Sequence, residues 1–207
     1  MTRKTKLWLG LAVVYVLFLA WHQPLRGPLT QDEVRSAFGP QFERMLESEN
    51  RQARAFLDFF MDDDGKPFFM VNLNALPEAT PEVEDAAQSY GRFMAPRLLS
   101  RASYPMLSAD VIVPLTNSLG VDLDAFERLV VVRYRSRRDF LEIVATKEFQ
   151  RALEDKTGSL EGWYSAPSAI GLKFSFPVAA LWLLIAIGLI STNWPSIRRR
   201  KQRASWP

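Results

Sequence analysis

Apolar residues are spread unevenly along this chain: they gather in two uncharged runs near the ends and in short periodic segments between them. The first run, Leu7–Trp21, reads LWLGLAVVYVLFLAW, and the second, Phe174–Trp194, reads FSFPVAALWLLIAIGLISTNW. A helix rises about 1.5 Å per residue, so the second run reaches ~31 Å, matching a hydrocarbon core of roughly 30 Å. It predicts a transmembrane helix over 174–194. The first run reaches only ~22 Å. Trp8 and Trp21 bracket it as interfacial anchors and the stems of Lys4 and Lys6 can snorkel, so a transmembrane helix is also read over 7–21. A basic start followed by an apolar stretch equally fits a cleaved leader. The exit, Phe18-Leu19-Ala20-Trp21-His22-Gln23-Pro24, offers one small residue where a cleavage site wants two, and the reading is an uncleaved anchor. Cleavage would leave a single-pass protein with its domain in the same place.

Between the runs the periodicity changes repeatedly. Residues 22–61 read as a linker and helical extension. HQPLRGPL breaks the first helix, Thr30 caps a short one with Glu33 at the third position, and Gly39-Pro40 interrupts. From Gln41 to about Met61, Phe42, Leu46, Ala53, Phe56, Leu57 and Phe60 form a helical stripe. Asp62-Asp63-Asp64-Gly65 then ends it. An EF-hand loop needs an acid where this chain has Phe60 and a Glu where it has Val71, so the run is read as a solvated turn.

Residues 62–170 read as one α+β domain. Over 68–76 Phe69, Val71 and Leu73 share one strand face, and Phe68, Met70, Asn72 and Asn74 the other. Val83, Ala87, Tyr90, Met94 and Leu98 mark a helix from Pro81 to about Arg101, with a kink or early end expected at Pro96. Strands are predicted within 104–116 and 126–135, then a helix capped by Ser136 and running to about Lys156, then a short strand near 163–170. The order is the ferredoxin-like βαββαβ unit, whose sheet carries both helices on one face. The other face would be wet at residues such as Val111, Val113 and Val130 unless something covers it.

Charge changes the picture through its placement. The tails 1–6 and 195–207 carry eight Lys/Arg and no acid; the other 18 Lys/Arg and all 23 Asp/Glu lie between them, so the middle is near −5. The basic pI of 9.3 belongs to the tails, and nucleic acid is not an expected partner. Two purely basic tails predict both termini in the cytoplasm and the middle on the far side. In a bacterium this is an inner-membrane protein with a periplasmic domain. The lipid bilayer is the expected partner, and the C-terminal cluster would favour anionic headgroups. The absence of Cys removes disulfides, thiolate metal sites and thiol catalysis.

DDDGKPFFMVNLNALPE (62–78), SYGRFMAPRLLSR (89–101) and LVVVRYRSRRDFLEIVATKEFQRAL (129–153) resemble an uncharacterised bacterial branch of the dimeric α/β-barrel superfamily. The likeness covers roughly 62–170. It implies two sheets packed face to face as a homodimer around a small pocket. Members include cofactor-free oxygenases, haem-degrading enzymes, isomerases and domains without known activity, so fold does not choose among them. Haem-binding members use a histidine ligand, but the single histidine here, His22, ends the first apolar run and reads as an interfacial residue.

Strand parity nominates Asn72, Asn74, Arg133 and Arg135, with Tyr90 facing the sheet from its helix, as polar candidates for such a pocket. Buried without partners, such groups would cost several kcal/mol, which a ligand could offset. The competing reading pairs Arg133 with an acid and lets Asn72 satisfy backbone groups. No nucleophile-and-base spacing, metal cluster or phosphate loop is present in the sequence, so neither metal nor cofactor is expected. The expected role is a non-catalytic dimerisation or interaction module; the alternative is a membrane-anchored small-molecule binder or cofactor-independent enzyme using the pocket.

Overall fold

The computed structural model describes residues 1–112, 125–169 and 176–204, with side chains of the last helix described through Thr192. In chain order its elements are α1 (Arg3–His22), α2 (Gln31–Phe38), α3 (Pro40–Leu46), α4 (Arg51–Met61), β1 (Phe68–Ala75), α5 (Pro81–Ser100), β2 (Tyr104–Asp110), β3 (Arg128–Tyr134), α6 (Arg137–Val144), α7 (Lys147–Gly158), β4 (Gly162–Ser168) and α8 (Phe176–Ala204). They form two compact units, Pro24–Gly171 and Met1–Gln23 with Leu172–Pro207.

Pro24–Gly171 is an α+β domain built on a four-stranded antiparallel sheet in the order β2-β3-β1-β4. Each βαβ half brackets a strand from the other half, which is the ferredoxin-like arrangement. The expected boundary at residue 62 falls inside this unit. Val34, Phe38, Phe42, Leu57 and Phe60 of the extension share one core with Phe68, Tyr134 and Phe140. The acidic turn helps hold them there. The Asp63 carboxylate accepts from the Leu29 N–H at 2.8 Å and the Gly65 N–H at 3.0 Å. Gly65 has φ +71°, and a Cβ there would meet the Pro28 nitrogen at 3.2 Å, so backbone conformation and the close approach of the linker both favour glycine. Arg138, 8% exposed, ties the same linker down: its guanidinium pairs with Glu33 and donates to the carbonyls of Gly27 and Pro28.

Two expected helices are each broken in two. Asn50 caps α4 by accepting from the N–H groups of Gln52 and Ala53, and Thr146 caps α7 by accepting from Phe149. In both places a capping side chain competes with helix continuation without interrupting the apolar stripe. The opposite occurs at Pro96, which α5 carries through to Ser100. Met94 and Leu98 are buried on either side of it, and their packing offsets the lost hydrogen bond. The part of the expected second strand beyond residue 112, Val113 included, lies outside the described residues, as does Ile170 of the last.

Ser136 caps α6 as expected. It is buried, accepts from the Asp139 N–H at 3.1 Å and donates to the Asp139 carboxylate at 2.8 Å. Ser136→Ala removes the cap and leaves Asp139 short of a donor. It is expected to cost about 1–2 kcal/mol, read as a lower urea midpoint with an unchanged slope.

In the other unit, α1 and α8 pack together through Trp8 and Gly188 and through Tyr15 and Pro177. Of the two expected spans, α1 alone among the described residues is a helix both long and apolar enough to cross a membrane. The apolar stretch of α8 covers Phe176–Thr192, shorter than the roughly 20 residues a span needs; Phe174 and Ser175 lie outside the described residues. Leu9, Val13, Val14, Val16 and Leu17 of α1 are exposed, as are Leu181, Trp182, Leu183, Ile187, Leu189 and Ile190 of α8.

Candidate functional site

Register decides which side chains of the sheet can act together. Phe69 pairs with Arg133, Val71 with Val131 and Leu73 with Leu129; across β2 the same row continues through Tyr104, Leu107 and Ala109, and across β4 through Tyr164, Ala166 and Ser168. The other parity pairs Phe68 with Tyr134, Met70 with Val132, Asn72 with Val130 and Asn74 with Arg128. Phe68 and Tyr134 stack at 5.0 Å and both meet the Phe140 ring of α6, so this second face is the one against the helices. The first face is an apolar row, half-buried or exposed throughout except for Arg133.

The five polar candidates therefore do not converge. Arg133 lies on the row away from the helices, whereas Asn72 and Asn74 lie on the helix side. Arg133, 6% exposed, donates to the Ala102 carbonyl at 2.6 Å, and its guanidinium stands 5.6 Å from the Tyr104 ring. Burial lowers its pKa. Ala102 has φ 49°, and the bonds Ser103 N–H to Leu98 O and Ala102 N–H to Leu99 O close α5 in a Schellman motif. Glycine is usual at that position; here Arg133 holds the carbonyl of an alanine. Arg135 makes two 2.7 Å bonds to the Asp139 carboxylate, which raise its pKa, and it donates its own N–H to Ser103. Arg133 thus holds the turn between α5 and β2, and Arg135 joins that turn to the start of α6.

On the helix side Asn72 donates to the Met70 and Val130 carbonyls, each at 3.3 Å, and accepts from the Ser165 hydroxyl at 2.7 Å. Asn74 sits opposite Trp163, and its Oδ1 is buried with no hydrogen-bond partner among the described residues. Tyr90 packs on the core, and burial pushes its hydroxyl up to about 12. Burial raises Tyr134 as well, with the neighbouring Tyr90 adding to the effect. Among the described residues no group of His, Asp and Glu could hold a metal ion.

Sequence reasoning missed Lys156. Its ammonium lies 4.8 Å from the centre of the Trp163 ring, and burial lowers its pKa from 10.5 to about 8. The only available signal was a lysine one turn beyond Ala152 on the amphipathic helix α7. Because the unfolded chain holds this proton up to higher pH, stability rises as pH climbs from about 8 to 10.5, and the penalty is fully present at neutral pH. Lys156→Met is expected to stabilise the domain by about 1–3 kcal/mol near pH 7 and to abolish that rise, as urea titrations at the two ends of the window would read.

The strand order and the two unlike faces define a ferredoxin-like α+β domain. No family model matches the chain, and no curated protein does. Among solved structures, RPA0582 from Rhodopseudomonas palustris, a protein of unknown function, is similar over 58% of this chain and 93% of its own, at 19% identity and a TM-score of 0.48. The methylated form of RPA0582 gives 59% and 93%, 19% and 0.48. A dimeric protein of unknown function and ferredoxin-like fold from Bacteroides fragilis is similar over 50% of this chain and 96% of its own, at 10% identity and 0.31. The assignment of the domain rests on its own topology.

Proposed function

We propose that this protein is a membrane-anchored interaction module. In this reading α1 and the apolar part of α8 sit in lipid, the basic tails stay in the cytoplasm, and Pro24–Gly171 lies on the far side, the periplasm of a bacterial inner membrane. There the domain pairs with a second copy across its open sheet face and works by association rather than catalysis. The carrying observation is the apolar row Phe69, Val71, Leu73, Leu129, Val131 and Leu107, on the side of the sheet opposite the α6 aromatic core. A flat apolar surface of this kind is self-complementary about a two-fold axis, and two such faces pack about 10 Å apart. The exposed apolar side chains of α1 and α8 support the lipid part of the reading.

The test uses the full chain. Recovery in the membrane fraction after alkaline washing, followed by a dimer mass released from detergent in native mass spectrometry, is expected. A monomer at micromolar concentration overturns the pairing, and recovery in the aqueous fraction overturns the anchor. A second reading, a small-molecule binder, is favoured by the unpartnered Asn74 carbonyl beside Trp163 and Lys156. It would place the ligand on the helix side of the sheet, and a ligand-induced rise in melting temperature that Asn74→Leu abolishes would support it.

A further inference from the structure

Two contacts fix the direction of α1 against α8. The Tyr15 hydroxyl donates to the Pro177 carbonyl at 3.2 Å, at the start of α8. Trp8, two turns earlier on α1, lies against Gly188, three turns later on α8. Going back along one helix means going forward along the other, so the pair is antiparallel. Gly188 is buried, while its neighbours Ile187 and Leu189 are exposed. A Cβ on Gly188 would stand 2.3 Å from Trp8 Cη2, 2.6 Å from Cζ3 and 2.7 Å from Cζ2. The six-membered part of the indole occupies the volume that any other residue at 188 would need. The Thr192 hydroxyl donates back to the Gly188 carbonyl at 2.8 Å, so the helix continues through the notch with its polar groups joined.

We infer that α1 and α8 form one keyed anchor, an antiparallel helical hairpin in which Trp8 fills the notch at Gly188, α1 stays as a permanent half, and both basic ends leave the lipid on one side. The inference rests on the membrane reading above but is not implied by it, since two spans can cross a bilayer apart. Within lipid the hydrophobic effect does not drive helices together; close packing and interhelical hydrogen bonds do. This pair has both, a bulky indole on a glycine and a phenol on a carbonyl. The antiparallel direction sets Arg3, Lys4 and Lys6 at the end from which Arg198, Arg199, Arg200 and Lys201 follow Thr192. That is a geometric route to the topology that the tail charges suggest independently. Loss of α1 by processing would open the notch and remove the Tyr15 hydroxyl's bond at Pro177.

The chain has no cysteine, so introduced thiols are unambiguous. Leu11 and Leu184 are partly buried and lie between the two contacts, whereas Val14 and Leu183 are exposed at 53% and 62%. Leu11→Cys with Leu184→Cys, oxidised in native membranes by copper phenanthroline, is expected to give an intramolecular disulfide about tenfold or more above Val14→Cys with Leu183→Cys. Adding Gly188→Leu is expected to cut that yield about tenfold, and adding Trp8→Ala to Gly188→Leu to recover most of it, because the pair couples sterically. Intact mass of the purified chain is expected to include α1. Equal yields from the two cysteine pairs, covalent dimers in place of an intramolecular product, or a mass lacking α1 would each overturn the hairpin. Recovery of the chain in the aqueous fraction is a different failure, that of the membrane reading itself.

Discussion

Phe60→Ala is expected to remove about 3–5 kcal/mol of stability. Phe60 is fully buried, and its ring meets Phe38 at 5.6 Å, Phe56 and Phe59 at 5.1 Å each, and Phe140 at 5.7 Å. It therefore joins α2, α4 and α6 at one point. Removing it leaves a void lined by four aromatic rings that cannot close without moving three helices. Urea unfolding followed by near-ultraviolet circular dichroism would read the loss. Phe56→Ala is the control: Phe56 lies on the same helix but is 37% exposed, and its loss is expected to be much smaller. A small effect at Phe60 would mean that α2–α4 are an appendage and that the domain begins near Asp62. A large effect makes the extension part of the folding unit, so a fragment starting at Asp62 would expose Phe68, Tyr134 and Phe140 to water.

How much of this was legible in the sequence depends on whether the determining interaction was local. The strands were, because FFMVNLNA alternates over its second half and RLVVVRY is a short β-branched run between charges. The parity within β1 was too, with Phe69, Val71 and Leu73 on one face and Asn72 and Asn74 on the other. What parity cannot supply is which face of β3 shares a side with which face of β1, because a one-residue slip exchanges the two sets. The observed pairing of Phe68 with Tyr134 puts Arg133 beside Phe69 and away from Asn72, which dissolves the five-residue pocket as a single site. The contacts that bind the extension were illegible for the same reason. Arg138 meets Glu33 across 105 positions, and nothing near either residue announces the other. The caps at Asn50 and Thr146 were local signals, but the apolar stripes ran through them and outweighed them in the reading.

Val131→Glu is expected to abolish the proposed pairing of the domain while leaving its fold intact. Val131 lies inside the open row, with Val71 beside it on β1 and Leu107 on β2. In a lone domain the row faces water on the side away from the helix core, so a glutamate there can keep its hydration and costs little. In a face-to-face pair the same carboxylate is stripped of water, and the two-fold axis brings its equal from the second copy toward it. Burying one unpaired charge costs several kcal/mol, so a loss of at least about 3 kcal/mol, or roughly a hundredfold in Kd, is expected. Native mass spectrometry of the full chain would show monomer at concentrations where the unaltered chain is expected to be dimeric, with an unchanged circular dichroism spectrum. Ser108→Glu separates this from a general effect of added charge: Ser108 is exposed on β2 but belongs to the helix-side parity through its pairing with Val130, so its dimer is expected to survive. If Val131→Glu still dimerises, some other surface holds the copies together, and the open face needs a different occupant.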